Sequence, residues 1–279
     1  MLEGSKIGLI GAGVMAEVIA AGLVRSKLVQ PDDVVVSHYR QDRLDEFARL
    51  VPVRTTLSNR AVYEESDVTI ICVRPQPDIM RSVLGEIRAV LDPNRLLTTI
   101  AAGVPTSFYE RELGEIVPFV RAMPTFFGRI KAGTTGLSIN SATTAEHLAV
   151  ASRLFGTISE NIVVLPEDEM DAFTTFGSTT TATVYLLLDA LITAGSLVGM
   201  RHQASHSRAI EQVIAAARNV EATEKLPSQL LDEICTPGGV TVEGVKILEE
   251  RAVRAAVIDG ILAATRRAQE IGRGSLLET

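Results

Sequence analysis

Short apolar runs alternate with amphipathic stretches along the first half of the chain. Residues 7–10 form a run of strand length, and 14–24 follow with helical spacing. Residues 34–37 predict a second strand and 42–50 a second helix. The continuous apolar run 68–73 ends at Arg74-Pro75-Gln76-Pro77, residues 80–91 have helical spacing, and a strand over 96–101 stops at Ala102-Gly103. Shorter strands are predicted over 116–120, 135–139 and 162–165. Strands that are apolar on both faces and separated by helices belong to a mostly parallel sheet covered on both sides.

After residue 165 the period changes. Pro166-Glu167-Asp168-Glu169 reads as a helix start, with proline early and acids in the first turn. Helical patterns then run over 167–200, 203–222, 226–234, 241–251 and 253–270, with no strand predicted between them. The reading is therefore α/β: a doubly wound, mostly parallel sheet over residues 1–165, followed by an all-helical part over 166–279. Between 181 and 200 the only charge is Asp189, and the length is that of a membrane span. Thr181, Thr183, Thr193, Ser196 and two glycines, with no basic flank before them, favour a soluble helix buried on most sides. In so small a domain such a helix needs a partner surface, which points to a dimer interface.

Composition narrows the chemistry. A net charge of −7 does not suggest a nucleic-acid partner. With 46% hydrophobic residues, 4% aromatic residues and no Trp, the core is built from small and aliphatic side chains. Cys72 and Cys235 offer neither a disulfide framework nor metal-ligand spacing, and both read as small buried residues. His202 and His206 would share a helix face, but no Cys or carboxylate stands at matching spacing; they read as solvated, and no metal is expected. No signal peptide is visible before the first strand, so a cytoplasmic location without a membrane partner is expected.

Two clusters carry candidate chemistry. Gly8-Leu9-Ile10-Gly11-Ala12-Gly13-Val14-Met15-Ala16 sits where a strand ends and a helix opens. Gly11 permits the tight turn, Gly13 lets a pyrophosphate approach the backbone, and Ala16 takes the third small position. Gly11, Ala12, Gly13, Val14 and Met15 are therefore expected to bind a dinucleotide, with the helix N-terminus facing its phosphates. The second strand ends in Ser37-His38-Tyr39-Arg40 with no acid at the place that binds a ribose 2′-hydroxyl; Asp42 comes late, and Arg43 follows. Ser37 and Arg40 suit a 2′-phosphate, which favours NADPH and leaves NADH open; Arg40 at a solvated helix start is the alternative. The second cluster is Thr236-Pro237-Gly238-Gly239-Val240-Thr241, between two helices. Its backbone N–H groups and hydroxyls suit a small carboxylate. A helix-to-helix turn with a threonine cap is the alternative.

Together these clusters resemble the pyrroline-5-carboxylate reductase family. The resemblance runs through Val73-Arg74-Pro75-Gln76, Ile100-Ala101-Ala102-Gly103-Val104, Arg121-Ala122-Met123-Pro124, Ala132-Gly133-Thr134-Thr135 and the block from Asp232 to Thr241. It implies a Rossmann-type N-terminal domain and a helical dimerisation domain interlocked with a second subunit, in a homodimer or a dimer-based larger oligomer. It further implies NAD(P)H-dependent reduction of 1-pyrroline-5-carboxylate to L-proline, at a site between one subunit's cofactor and the partner's helices. By the resemblance Val73, Arg74, Pro75, Ala101, Ala102 and Gly103 join the cofactor site. Thr236, Gly238, Gly239 and Val240 hold the substrate carboxylate, Thr241 bonds the ring nitrogen, and Glu224 borders the substrate. Two stretches depart from the family pattern. Thr125-Phe126-Phe127 replaces Asn-Thr-Pro, adding bulk expected near the nicotinamide, and Gly177 to Thr183 replaces Ser-Gly-Ser-Gly-Pro-Ala-Tyr. A reductase of a related cyclic imine, or a non-catalytic dinucleotide-binding paralogue, stands beside the first reading. A β-hydroxyacid dehydrogenase would share the front domain but lacks a matching catalytic lysine here.

Overall fold

The computed structural model describes residues 4–114 and 117–277, with side chains at all of them except 126 and 271–277. Eight strands form one sheet: β1 Ile7–Ile10, β2 Val34–Ser37, β3 Arg54–Thr56, β4 Val68–Ile71, β5 Leu96–Thr99, β6 Phe119–Pro124, β7 Thr134–Ile139 and β8 Asn161–Val164. Their order is β3-β2-β1-β4-β5-β6-β7-β8. All neighbours are parallel except β6 and β7. Every residue of β1, β2, β4 and β5 is buried, as continuous apolar strands between two helical layers must be. One face is covered by α1 Val14–Arg25, α2 Gln41–Leu50 and α6 Ala145–Phe155, through Ile19, Phe47 and Phe155. The other is covered by α3 Asn59–Glu65, α4 Pro77–Arg88 and α5 Thr106–Leu113, through Tyr63, Leu84 and Tyr109. The strand order reverses between β1 and β4, which remain parallel, and open sheets of this kind bind ligands outside the strand ends at that point.

The expected strands and helices of the first half are present, with shifts at their ends. The runs expected to reach Val73 and Ala101 leave the ladder at Ile71 and Thr99. The strand expected over 116–120 lies instead at Phe119–Pro124, and Ile116 lies outside the described residues. That strand carries a charge, Arg121, into the interior. Its guanidinium is 2% exposed and pairs with Glu167 at 2.8 Å and Asp171 at 2.5 Å. Glu167 also accepts the Thr106 N–H at the start of α5, at 3.1 Å. A buried charge is tolerated only with such partners.

The remaining helices are α7 Met170–Leu197, α8 His202–Thr223, α9 Pro227–Ile234, α10 Val240–Glu250 and α11 Val253–Leu277. The chain divides into two compact units: one runs through Thr175 and resumes at Thr265, and the other comprises Phe176–Ala264. In the second unit α7 and α8 cross closely. A Cβ on Gly195 would lie 2.0 Å from the Ser205 hydroxyl, which donates to the Ile192 carbonyl at 2.7 Å. Only Ser205 and Ala209 are buried there.

The expectation that the apolar helix is buried on most sides does not hold within one chain. The stretch Glu167–Leu197 is long and apolar enough to cross a membrane by length and composition, and none of its most apolar window is buried. Leu186 is 69% exposed, and Tyr185, Leu191, Ile214, Ile247 and Leu262 are exposed with it. A unit with two buried side chains has no core of its own, so its apolar faces require a surface outside the chain. Cys235, expected as buried, is partly exposed; Cys72 is partly exposed as a residue but packs against the core with its thiol desolvated. His202 and His206 are exposed, as expected for solvated residues.

Candidate active site

The turn from β1 into α1 is held from both sides. Gly11 has φ +107, and a Cβ there would lie 3.0 Å from the backbone carbon of Cys72, so only glycine fits. Its N–H donates to the Ser37 carbonyl at 2.9 Å. Gly13 differs. A Cβ on Gly13 would meet nothing nearer than the Cys72 oxygen at 4.0 Å, so protein packing does not demand a glycine. Gly13 caps α1 with no side-chain hydrogen bond, which leaves first-turn N–H groups for a ligand. Arg43 pins the turn: its Nε donates to the Ala12 carbonyl at 2.8 Å, and its guanidinium pairs with Glu17 and Glu46. With two carboxylates already engaged, Arg43 is a structural cation.

A cleft of about 720 Å3 opens at the ends of β1, β2 and β4. Of the expected cofactor residues, Gly11, Ala12, Gly13, Arg40, Val73 and Arg74 line it. Val14 is half exposed and Met15 packs against the core, both in the first turn of α1, while Pro75 follows Arg74 in the loop before α4. Ser37 is buried behind the wall and donates to Asn59 Oδ1 at 2.7 Å. Arg40 is exposed and pairs with Asp42, a contact that holds weakly in water and leaves its guanidinium accessible to a phosphate. Burial holds His38 below its ordinary pKa; its Nδ1 accepts the Arg40 N–H at 3.2 Å, so the ring is neutral at neutral pH. Burial likewise pushes the Cys72 thiol up and keeps it protonated at the cleft wall. Ala101, Ala102 and Gly103 follow β5, outside the cleft's lining. The Ala101 N–H donates to Thr99 Oγ1 at 3.2 Å, and Gly103 has φ +75.

Sequence reading missed Asn59 and Glu86, which also line the cleft and share a hydrogen bond at 3.1 Å. They stand on α3 and α4, and no local pattern marks either as a cleft residue.

The second unit holds the other cluster. The Gly239 N–H donates to the Thr236 carbonyl at 3.0 Å, Gly238 has φ +71, and a Cβ on Gly239 would lie 2.6 Å from the Thr236 hydroxyl. Gly239 caps α10, again with no side-chain hydrogen bond, so a threonine is not the cap. Val240 and Thr241 stand exposed in the first turn. Glu224 lies apart from this turn in sequence, at the end of α8, with φ +55 and its N–H donated to the Val220 carbonyl at 3.0 Å. This is the left-handed conformation of a helix C-cap, shared with Lys27, Lys131 and Ala252, so the backbone alone does not mark Glu224 as a site residue.

The two departures have distinct local structures. Residues 177–183 continue α7 without a break. The Thr181 and Thr183 hydroxyls donate to the carbonyls of Gly177 and Thr179 at 2.9 and 2.8 Å. Phe127 lies in the short 3-10 turn Phe126–Ile130 after β6; the Phe126 side chain lies outside the described residues.

A family model described as pyrroline-5-carboxylate reductase dimerisation matches residues 167–271, and one described as NADP oxidoreductase, coenzyme F420-dependent, matches residues 6–103. A pyrroline-5-carboxylate reductase of Methanosarcina acetivorans is 30% identical over 98% of this chain and 100% of its own length. The structure of a pyrroline-5-carboxylate reductase from Coxiella burnetii superposes with a TM-score of 0.81 at 30% identity, covering 96% of this chain and 98% of that one. The NADP-bound pyrroline carboxylate reductase of Plasmodium falciparum shares the fold, with a TM-score of 0.88 at 23% identity over 98% of this chain and 100% of that one. Likeness at this level over nearly the whole chain, joined to the two glycine-capped turns, makes this chain a member of the pyrroline-5-carboxylate reductase family.

Proposed function

We propose that the protein reduces the C=N bond of 1-pyrroline-5-carboxylate to give L-proline, with NADPH as the preferred hydride donor and NADH as the alternative one. The observation that carries this reading is a shared device. Both α1 and α10 start on a glycine cap with extended backbone and no side-chain partner, leaving N–H groups for an anion. The first turn suits a pyrophosphate and the second a carboxylate, the two anions that this reaction brings together. The cofactor fits: Gly13 leaves open the space that a larger side chain would fill.

In this reading Gly11, Ala12, Gly13, Val14 and Met15 hold the pyrophosphate. Arg40 stands at the adenosine ribose; Ser37, expected there as well, is buried behind the cleft wall and contributes by holding Asn59, and Val73, Arg74, Pro75 and Ala101 to Gly103 flank the rest of the cofactor. The bound nicotinamide supplies a hydride. Thr236, Gly238, Gly239 and Val240 hold the substrate carboxylate through a hydroxyl and backbone N–H groups. The Thr241 hydroxyl orients the ring nitrogen, and Glu224 borders the ring. A threonine hydroxyl is a poor acid, so the nitrogen's proton arrives with the iminium form or from water. The rate then comes from orientation and from exclusion of water.

The carboxylate turn of one subunit completes the cofactor site of the other in a homodimer, whose interface is the apolar surface of α7 and its neighbours. The functional boundary is placed at 165/166 and the location in the cytoplasm. A second reading, reduction of a different cyclic imine, draws on Phe127 and the unbroken helix at 177–183. A panel of cyclic imines assayed with NADPH separates them. Cofactor oxidation is expected to be fastest with the five-membered imino acid. Preference for a larger ring favours the second reading, and no turnover with any imine despite cofactor binding contradicts both.

A further inference from the structure

The end of β2 lacks the acid that commonly receives a ribose 2′-hydroxyl, but a carboxylate from elsewhere in the fold is linked to that strand end through Asn59. Glu86, on α4, accepts a hydrogen bond from Asn59 Nδ2 at 3.1 Å, and Asn59 Oδ1 accepts one from the Ser37 hydroxyl at 2.7 Å. Glu86 and Asn59 both line the cleft, and Ser37 is the last residue of β2. The direction of this relay is set by chemistry. An ionised carboxylate only accepts, so the Asn59 amide must turn its nitrogen to Glu86 and its oxygen to Ser37. The Ser37 proton is thereby committed, and one Asn59 N–H is drawn to Glu86. What the relay presents to the cleft is then richer in acceptors than in donors. A ribose 2′-hydroxyl can donate to such a wall. A 2′-phosphate, which carries negative charge and is bound through donors, gains less from it.

We propose that Glu86 is a specificity-determining residue, acting through Asn59 to restrain the preference for NADPH and to keep NADH a usable cofactor. This rests on the reading of the cleft as the dinucleotide site. Glu86→Gln removes the charge and lets the Asn59 amide turn over, because glutamine can donate as well as accept. Glu86 is exposed and outside the core, so the substitution leaves the fold intact.

The test is calorimetric titration of NADPH and NADH into the wild type, Glu86→Gln, Asn59→Ala and the double variant. Glu86→Gln is expected to raise the ratio of NADPH to NADH affinity about tenfold, the scale of one hydrogen bond to a charged group. In the Asn59→Ala background the same substitution is expected to move the ratio by less than about twofold, because the relay is already cut. An unchanged ratio in Glu86→Gln, with both cofactors bound normally, overturns the proposal and leaves the cleft assignment standing. An equal shift in both backgrounds overturns the role of Asn59. Failure of the wild type to bind either dinucleotide instead overturns the cleft assignment on which the proposal rests.

Discussion

Gly11→Val is expected to abolish measurable NADPH binding, a loss of at least about a hundredfold in affinity. The added Cβ would sit 3.0 Å from both the Cys72 backbone carbon and Val73 Cγ1, at a φ of +107 that a β-branched residue avoids. The turn must move, the bond from the Gly11 N–H to the Ser37 carbonyl is lost, and the start of α1 leaves its place beyond the end of β1. The strain also costs roughly 1–3 kcal/mol of stability, so unfolding must be followed alongside the titration. Gly13→Ala provides the control. Its backbone is extended, and its Cβ would meet no protein atom nearer than 4.0 Å, so the variant is expected to fold as the wild type does and still bind the dinucleotide more weakly. Normal titration of both variants would remove the turn from the cofactor site.

Thr241→Ala is expected to lower kcat/KM by about a hundredfold, comparable with the loss of one positioned donor in other active sites, while NADPH affinity changes less than about twofold. The side chain is exposed in the first turn of α10, and Gly239 rather than Thr241 caps that helix. Its removal should therefore cost little stability, and a lost rate reports on chemistry. Thr241→Ser keeps the hydroxyl and should retain most of the activity. Steady-state kinetics on the five-membered imino acid, with cofactor titration in parallel, decides the matter; an unaltered rate in Thr241→Ala takes this hydroxyl out of the mechanism.

Features of the chain were legible from sequence where local chemistry decides them. The Gly11 turn, the buried strands β1, β2 and β4 and the helical period after residue 165 all write their constraints into neighbouring residues. β3 was missed because its three residues, Arg54-Thr55-Thr56, are polar and lie at the sheet edge, where no apolar run is required. The short α3 and α5 were missed too. α6 was also missed, although Thr144 and His147 form a capping box at its start, a signal open to inspection. The strand at Phe119–Pro124 was cut short at its arginine because the carboxylates that neutralise Arg121 stand 46 and 50 positions later. The same distance problem hid the relay to Glu86: Ser37 and Asn59 are 22 positions apart, and Asn59 and Glu86 are 27 apart. The apolar character of α7 was plain, but what covers it is not written in a single chain.

Subunit complementation tests the shared site most directly. Gly11→Val disables the cofactor turn and Thr241→Ala the substrate turn, and each homodimer should be nearly inactive. When the two are co-expressed with different tags and mix at random, half the dimers are mixed, and each mixed dimer pairs one intact cofactor turn with the partner's intact Thr241. Activity should return to about a quarter of the wild type. Mixed dimers isolated through both tags that stay as inactive as their parents would contradict an active site built across two subunits.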